Sequence, residues 1–334
     1  MFNFSIPYYI ETSDSLILLL SAIIIEIALN KLKFFIYIFE LPVRFIEYLT
    51  NWFDRKLNKQ TRSHKDRAVR GFISVLIIIS ISYVLTKYIS YLSQEISLFW
   101  IFEFLLLIIL IGDKNLCAKI NEIASALQKQ KAALVIRKLN VLTSQNYKTE
   151  DHYTLARITI QKLAISFPSL IIAPIFWYLI FGLPGLASYK TISIIYNKIG
   201  QKNRNYQGFG FSIIQLNKIF LFIPAVLGRG LILIVGIFIS RTFENNLLQS
   251  FMLKDLGSDD YQYKISILAF ANALGLALHG SPINKNLSGI KNWLGEGRAK
   301  VVVSDIENAV RLYKYSSLFV QIFLLYLIVL RLVT

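Results

Sequence analysis

Lys190, Lys198, Lys202, Arg204 and Lys218 follow one another in a stretch that contains no Asp or Glu. Cations gathered without acids form a landing surface for an anion, or for acidic lipid headgroups. The segment leading into them is apolar, Ala173-Pro174-Ile175-Phe176-Trp177, and turns at Gly182-Leu183-Pro184-Gly185. With prolines at 168, 174 and 184 it cannot be one unbroken helix. Read from physics alone, this is a kinked membrane helix with a positively charged cytoplasmic flank. Metal chemistry has no visible basis, because His64, His152 and His279 are scattered singly and Cys117 is the one cysteine.

The rest of the chain must place that stretch against a bilayer. Of 334 residues 55% are hydrophobic, the mean hydropathy is +0.53, and the formal charge is +16. Several apolar runs approach the roughly 20 residues needed to cross a bilayer. The fold class is therefore all-α: a polytopic integral membrane helix bundle with broken or re-entrant segments and amphipathic cytoplasmic helices. The basic excess is spread over every loop and no recognition module is present, so nucleic acid is excluded as a partner and the lipid bilayer is expected. The first apolar run lacks a basic start and a small-residue cleavage site, and reads as a retained helix.

Apolar segments are expected at 15–29, 72–89, 96–111, 160–182, 219–240 and 317–332, within a single membrane domain over 1–334. Lys31 to Leu49 reads as an interfacial amphipathic stretch interrupted by Pro42, and Arg55 to Arg70 as cytoplasmic. Between residues 115 and 142, Leu116, Ile120, Ile123, Leu127, Leu134 and Leu139 recur at near-helical spacing, which predicts a soluble or surface-lying amphipathic helix. Region 241–313 is the second soluble-facing part. It holds a small-residue helix around Ala269 to Ala277 and Trp293-Leu294-Gly295-Glu296-Gly297-Arg298. Ser304 with Glu307 forms a capping box that opens the last helix. Pro168 and Pro174 are expected to make 160–182 dip into the bilayer and return, which keeps the basic loop cytoplasmic.

Three charges fall inside apolar runs: Glu26, Glu103 and Arg229. An unpaired charge there costs at least about 2.5–3.5 kcal/mol, so each must face the bundle interior. Glu103 and Arg229 lie at matching depths and are expected to form a structural ion pair. The competing arrangement gives Arg229 to Glu26 and leaves Glu103 protonated.

The order Ala-Pro-x-Phe-Trp, Leu-Pro-Gly, Tyr-Lys, Ile-Gly, Tyr, Phe-Gly-aromatic, Pro-Ala, Ala-Leu-Gly and Trp-Leu-Gly-x-Gly resembles the CobD/CbiB membrane family of cobalamin biosynthesis. Glu26 and Pro42-Val43 sit where that family has its first acidic and Pro-Val elements. The resemblance implies an ATP-dependent carbon–nitrogen ligase at the bacterial inner membrane. Such an enzyme joins adenosylcobyric acid to aminopropanol or its phosphate and gives adenosylcobinamide or its phosphate. It implies ATP and Mg²⁺ as cofactors, a corrinoid substrate, and other corrin-pathway proteins as partners. Lys190, Tyr189, Arg204, Tyr206, Gly200 and Gly210 are its implied substrate- or phosphate-binding positions; no catalytic residue is assigned.

The chain departs from that pattern where the pattern is polar. Ser144-Gln145-Asn146-Tyr147 stands for Gly-Arg-Asp-Thr, and Gln161, Ile165, Ser166 and Ser169 stand for a Glu-x-x-x-Glu-Asn run with its aspartate. Ser193 and Tyr196 replace Asn and Asp, Gln215-Leu216-Asn217-Lys218 replaces Arg-Leu-Asp-Asp, and Asp260-Tyr261-Gln262 falls near a Ser-Pro-Asn element. Glu to Gln and Asp to Asn keep shape while deleting charge and metal affinity. Two functions follow, a divergent ligase or a catalytically degenerate membrane scaffold or sensor that needs no cofactor. A transporter is a distant third, since no inverted repeat of broken helices is seen.

Overall fold

The computed structural model describes residues 13–29, 41–96, 98–112, 115–148, 151–200, 206–239, 260–278 and 293–333. It forms an all-α chain with no strand among them. Contacts divide it into two compact units. The first comprises 1–112, 173–221 and 323–334; the second comprises 113–172 and 222–322. Among the described residues four helical runs are long and apolar enough to cross a membrane: His64–Glu95, His152–Ile199, Phe211–Phe238 and Val303–Val333, with a shorter apolar helix at Ser15–Ala28. The protein is an integral membrane protein.

The first unit is built on α1 (Ser13–Leu29), α2 (Leu41–Leu57), α3 (His64–Glu95) and α4 (Trp100–Ile111). Helix α3 starts where Ser63, in extended conformation, accepts a hydrogen bond from the Asp66 amide at 3.2 Å. At 32 residues it is about 48 Å long, more than the hydrocarbon core requires. Its buried side mixes small, hydroxyl and branched apolar positions, Gly71, Ser74, Val75, Ile78, Thr86 and Ser90, at helical spacing, with Arg67 buried in its first turn. Phe72, Ile73, Leu76, Val84 and Tyr88 point outward, which is the distribution a lipid solvent selects. The expected crossing at 96–111 is only a 12-residue helix, too short to span alone. Pro42 does not interrupt α2; it occupies the first turn, where its missing N–H has no helical acceptor anyway.

The run after residue 152 shows what the prolines do. Helix α7 (His152–Phe167) passes at Pro168–Ile172 into a π-helical turn, and α8 (Ala173–Ile199) follows. Pro174 falls in the first turn of α8, and the sharp break comes later, at Gly182, whose φ of 64° and ψ of −155° suit glycine alone. In α9 (Phe211–Ile239) Pro224 leaves the Phe220 carbonyl without its i→i+4 donor. The Trp177 indole supplies one, donating to the Phe220 oxygen at 3.0 Å with the two rings 4.6 Å apart. Trp177→Phe is therefore expected to lower stability by about 1–3 kcal/mol, because it orphans a carbonyl. The check is the thermal midpoint in detergent, which Phe181→Leu, altering the same aromatic stack, should move less.

The expected single helix over 115–142 is a hairpin of α5 (Leu116–Gln128) and α6 (Ala132–Thr143), because Gln130 turns left-handed with φ 54°. Glu122 and Lys138 pair across it. Val135, not Leu134, is fully buried on its second arm beside Leu139. Helix α7 opens on Asp151, which accepts from the Thr154 amide at 3.0 Å. Burial pushes the Asp151 carboxyl up, but hydrogen bonds from Thr154 and Tyr153 and the nearby Arg157 outweigh it and hold the group below its ordinary value.

Helix α10 (Tyr261–Leu274) packs on α7, and α11 (Val303–Val333) closes the chain. The expected capping box is shifted: α11 opens at Val303, and Asp305, not Glu307, reaches back to the Val302 amide at 2.8 Å while receiving Arg298. Of region 241–313, residues 241–259 and 279–292 lie outside the described residues.

Candidate functional site

The charged side chains of the first unit are positioned by packing of α1, α3, α4 and α8. Lys190, on the buried side of α8, is 7% exposed, and Glu26, on α1, is 5% exposed. Both converge on Gly112, which terminates α4. The Lys190 ammonium donates to the Gly112 carbonyl at 3.3 Å. The space a Cβ of Gly112 would take lies 3.2 Å from Glu26 Oε1. An acid from residue 26 and a base from residue 190 thus flank one backbone unit inside a membrane protein. Low dielectric strengthens the attraction of such charges and penalises either one alone.

Hydroxyls line the same helices. Tyr189 is fully buried beside Lys190. The Thr191 hydroxyl donates to Ser82 of α3 at 3.0 Å, an interhelical bond of the kind that holds membrane helices. Glu103 accepts from Ser90 at 2.9 Å and from Ser93. The salt bridge expected from depth would join Glu103 of the first unit with Arg229 of the second. Within its own unit Glu103 has a hydroxyl donor on each oxygen. Arg229 is 7% exposed and lies near Tyr261 in the second unit. Glu26, offered as its alternative partner, is at Gly112.

A second cluster sits at the other end of α8. The turn 206–210 lies against α2 and α3. Tyr206 donates to Asp54 at 3.2 Å; Asn58 donates to the same carboxylate at 2.8 Å and accepts from the buried Arg67 at 2.9 Å. Arg67 also reaches Gln60 at 3.2 Å. Burial, then the Asp54 charge and the bond to it, push the Tyr206 phenol above its usual range. Gly210 abuts the end of α8, where a Cβ would come within 2.2 Å of the Ile199 carbonyl, and Gly71 meets Phe209 the same way at 2.0 Å. These glycines serve close backbone approach.

The six substrate-binding positions implied by the family pattern therefore divide. Tyr189 and Lys190 lie at Gly112; Gly200, Tyr206 and Gly210 gather about ten residues on, roughly 15 Å along the helix. Arg204 lies outside the described residues. Gly112 and Asp54 escaped sequence reading. The signal for Gly112 was weak: a glycine ending an apolar run.

The polar replacements are spread over both units. Ser169 turns back on the Ile165 carbonyl of its own helix at 3.0 Å, and Ser166 and Asn217 are buried. Ser144 adopts φ 53°, the left-handed conformation that glycine prefers. No group of three His, Cys, Asp or Glu able to hold a metal occurs among the described residues. Among the described residues the oxygen donors at Gly112 are the Glu26 carboxylate and the Gly112 carbonyl, which do not by themselves fit a dedicated Mg²⁺ site.

These features define a polytopic helical membrane protein with a buried carboxylate and a buried ammonium at one helix end. The family model described as CobD/Cbib protein matches residues 19–313, so the chain belongs to that family. It is similar to the cobalamin biosynthesis protein CobD of Rhizobium meliloti (strain 1021), 24% identical over 283 residues, 81% of this chain and 84% of that one. CobD of Clostridium perfringens (strain 13 / Type A) is 24% identical over 267 residues, 79% of this chain and 84% of its own. CobD of a Sinorhizobium species is 27% identical over 180 residues, 53% of this chain and 55% of its own. No solved structure matches the chain.

Proposed function

We propose that this protein acts in cobalamin biosynthesis at the bacterial inner membrane, in the amide ligation that joins a corrinoid carboxylate to aminopropanol or its phosphate. The observation that carries the reading is the meeting of Glu26 and Lys190 at Gly112. Both stand at positions of the family pattern, far apart in sequence, and folding brings them to one residue. Amide formation from a carboxylate needs the acid activated, with ATP as the phosphoryl donor, and a cation near the charge that develops. In this reading Lys190 is that cation, and Glu26 with the Gly112 carbonyl fixes where it points.

A second reading, a non-catalytic component on the same scaffold, is favoured by Gln161, Ser169 and Asn217, which supply no carboxylate where the family pattern has acids. Complementation separates the two. A strain lacking its own ligase is expected to regain corrinoid-dependent growth with this chain and to lose it with Lys190→Met expressed at equal level. Growth that fails although the protein is folded in the membrane supports the non-catalytic reading.

A further inference from the structure

In the second unit a groove of about 500 Å³ runs between the C-terminal end of α9 and the first half of α11. Val235 and Phe238 form one wall. Arg311, Tyr315, Leu318, Phe319 and Ile322 form the other, recurring at helical spacing so that they make one stripe. From Arg311 to Ile322 that stripe is about 16 Å long, close to half of the roughly 30 Å hydrocarbon core. Phe238 is 82% exposed. The polar end is as distinctive as the apolar one. Among the described residues the Arg311 guanidinium makes no hydrogen bond or ion pair, nor does the Tyr315 hydroxyl one turn on. Glu307, one turn before, is exposed and not bonded to Arg311. The neighbouring Lys314 is exposed and adds a second positive charge.

We propose that this groove is a binding site for a phospholipid with an anionic headgroup. One acyl chain lies along the stripe between Phe238 and Ile322. The headgroup phosphate takes the Arg311 guanidinium, which presents a fork of donors matched to phosphate oxygens, and the Tyr315 hydroxyl. A net negative headgroup is preferred because no acid among the described residues is bonded to Arg311 and a quaternary ammonium would face Arg311 and Lys314.

The test uses the full chain in nanodiscs holding equal phosphatidylglycerol and phosphatidylcholine, followed by mild extraction and quantification of retained lipid. The wild type is expected to retain phosphatidylglycerol preferentially. Arg311→Gln should reduce that preference by roughly tenfold, the equivalent of one charge-assisted hydrogen bond. Leu318→Trp should reduce retention of both lipids by filling the groove. Val84→Trp, on the exposed face of α3, should leave retention unchanged. A monodisperse elution profile for each variant establishes that it is folded. Equal phosphatidylglycerol preference in the wild type and Arg311→Gln overturns the proposal. So does a Leu318→Trp chain that keeps its lipid but loses a dimer, which would assign the groove to a second copy.

Discussion

Lys190→Met is expected to destabilise the protein by about 1–3 kcal/mol, because it removes the buried ammonium that donates to the Gly112 carbonyl beside the Glu26 carboxylate. Both groups are nearly enclosed and both adjoin Gly112. Glu26→Gln should be milder, since Lys190 keeps the Gly112 carbonyl as acceptor. If the two charges at Gly112 are coupled, Glu26→Gln with Lys190→Met should be less destabilised than Lys190→Met alone, because both buried charges are then removed together. Thermal midpoints of the four proteins in one detergent complete the cycle. Singles that simply add in the double variant would show that the charges act independently, and the site would lose its reason for being a site. Gly112→Ala supplies a finer probe: its Cβ would press on Glu26 Oε1 at 3.2 Å, a flexible side chain that can give way, so a small loss is expected.

Gly297→Ala is expected to be at least as disruptive as a typical overpacking change, about 1–3 kcal/mol or more. A Cβ there would lie 2.0 Å from the backbone carbon and oxygen of Gly275 and 2.4 Å from the Leu276 nitrogen. Backbone cannot swing aside as a side-chain tip does. The contact belongs to a short ladder in which Arg298 donates to Gly275 at 3.1 Å, Ala277 to Arg298 at 3.0 Å, and Leu278 and Leu294 exchange bonds at 2.8 Å. Neighbouring Gly295 has φ +89° and meets the Leu276 carbonyl in the same way. Gly230→Ala is the contrast. Nothing lies within 4 Å of its Cβ, and the change in an apolar helix should be neutral or stabilising by up to about 1 kcal/mol. Yield of monodisperse protein and midpoint of unfolding read both; a Gly297→Ala chain as stable as Gly230→Ala would mean the ladder can move apart.

Composition and periodicity determined that the chain is helical and lives in a bilayer, because hydrophobic runs have few other stable solutions where backbone groups cannot reach water. The family followed from the order of its glycines, prolines and aromatics. Those residues answer to local backbone geometry: the φ of Gly182, and the close approaches at Gly210 and Gly297. Sequence also marked three residues with a reason to be inside, Glu26, Glu103 and Arg229, since charge in an apolar run is legible by itself; Lys190, read as part of the basic flank, is buried only by the packing of α8.

What they meet was decided only in three dimensions. Depth along a helix is written in the sequence, but the side of the bundle a residue faces, and the neighbour across from it, are set by how α1, α4 and α8 pack. Hence Glu103 found Ser90 and Ser93, Glu26 and Lys190 found the same glycine, and Tyr206 found Asp54. The split of α5 from α6 was hidden for a similar reason. Gln130 in a left-handed turn has no strong sequence mark, and the hydrophobic rhythm runs on through it. Pro224 takes one donor out of α9, and that an indole 47 positions earlier would replace it was a matter of packing alone.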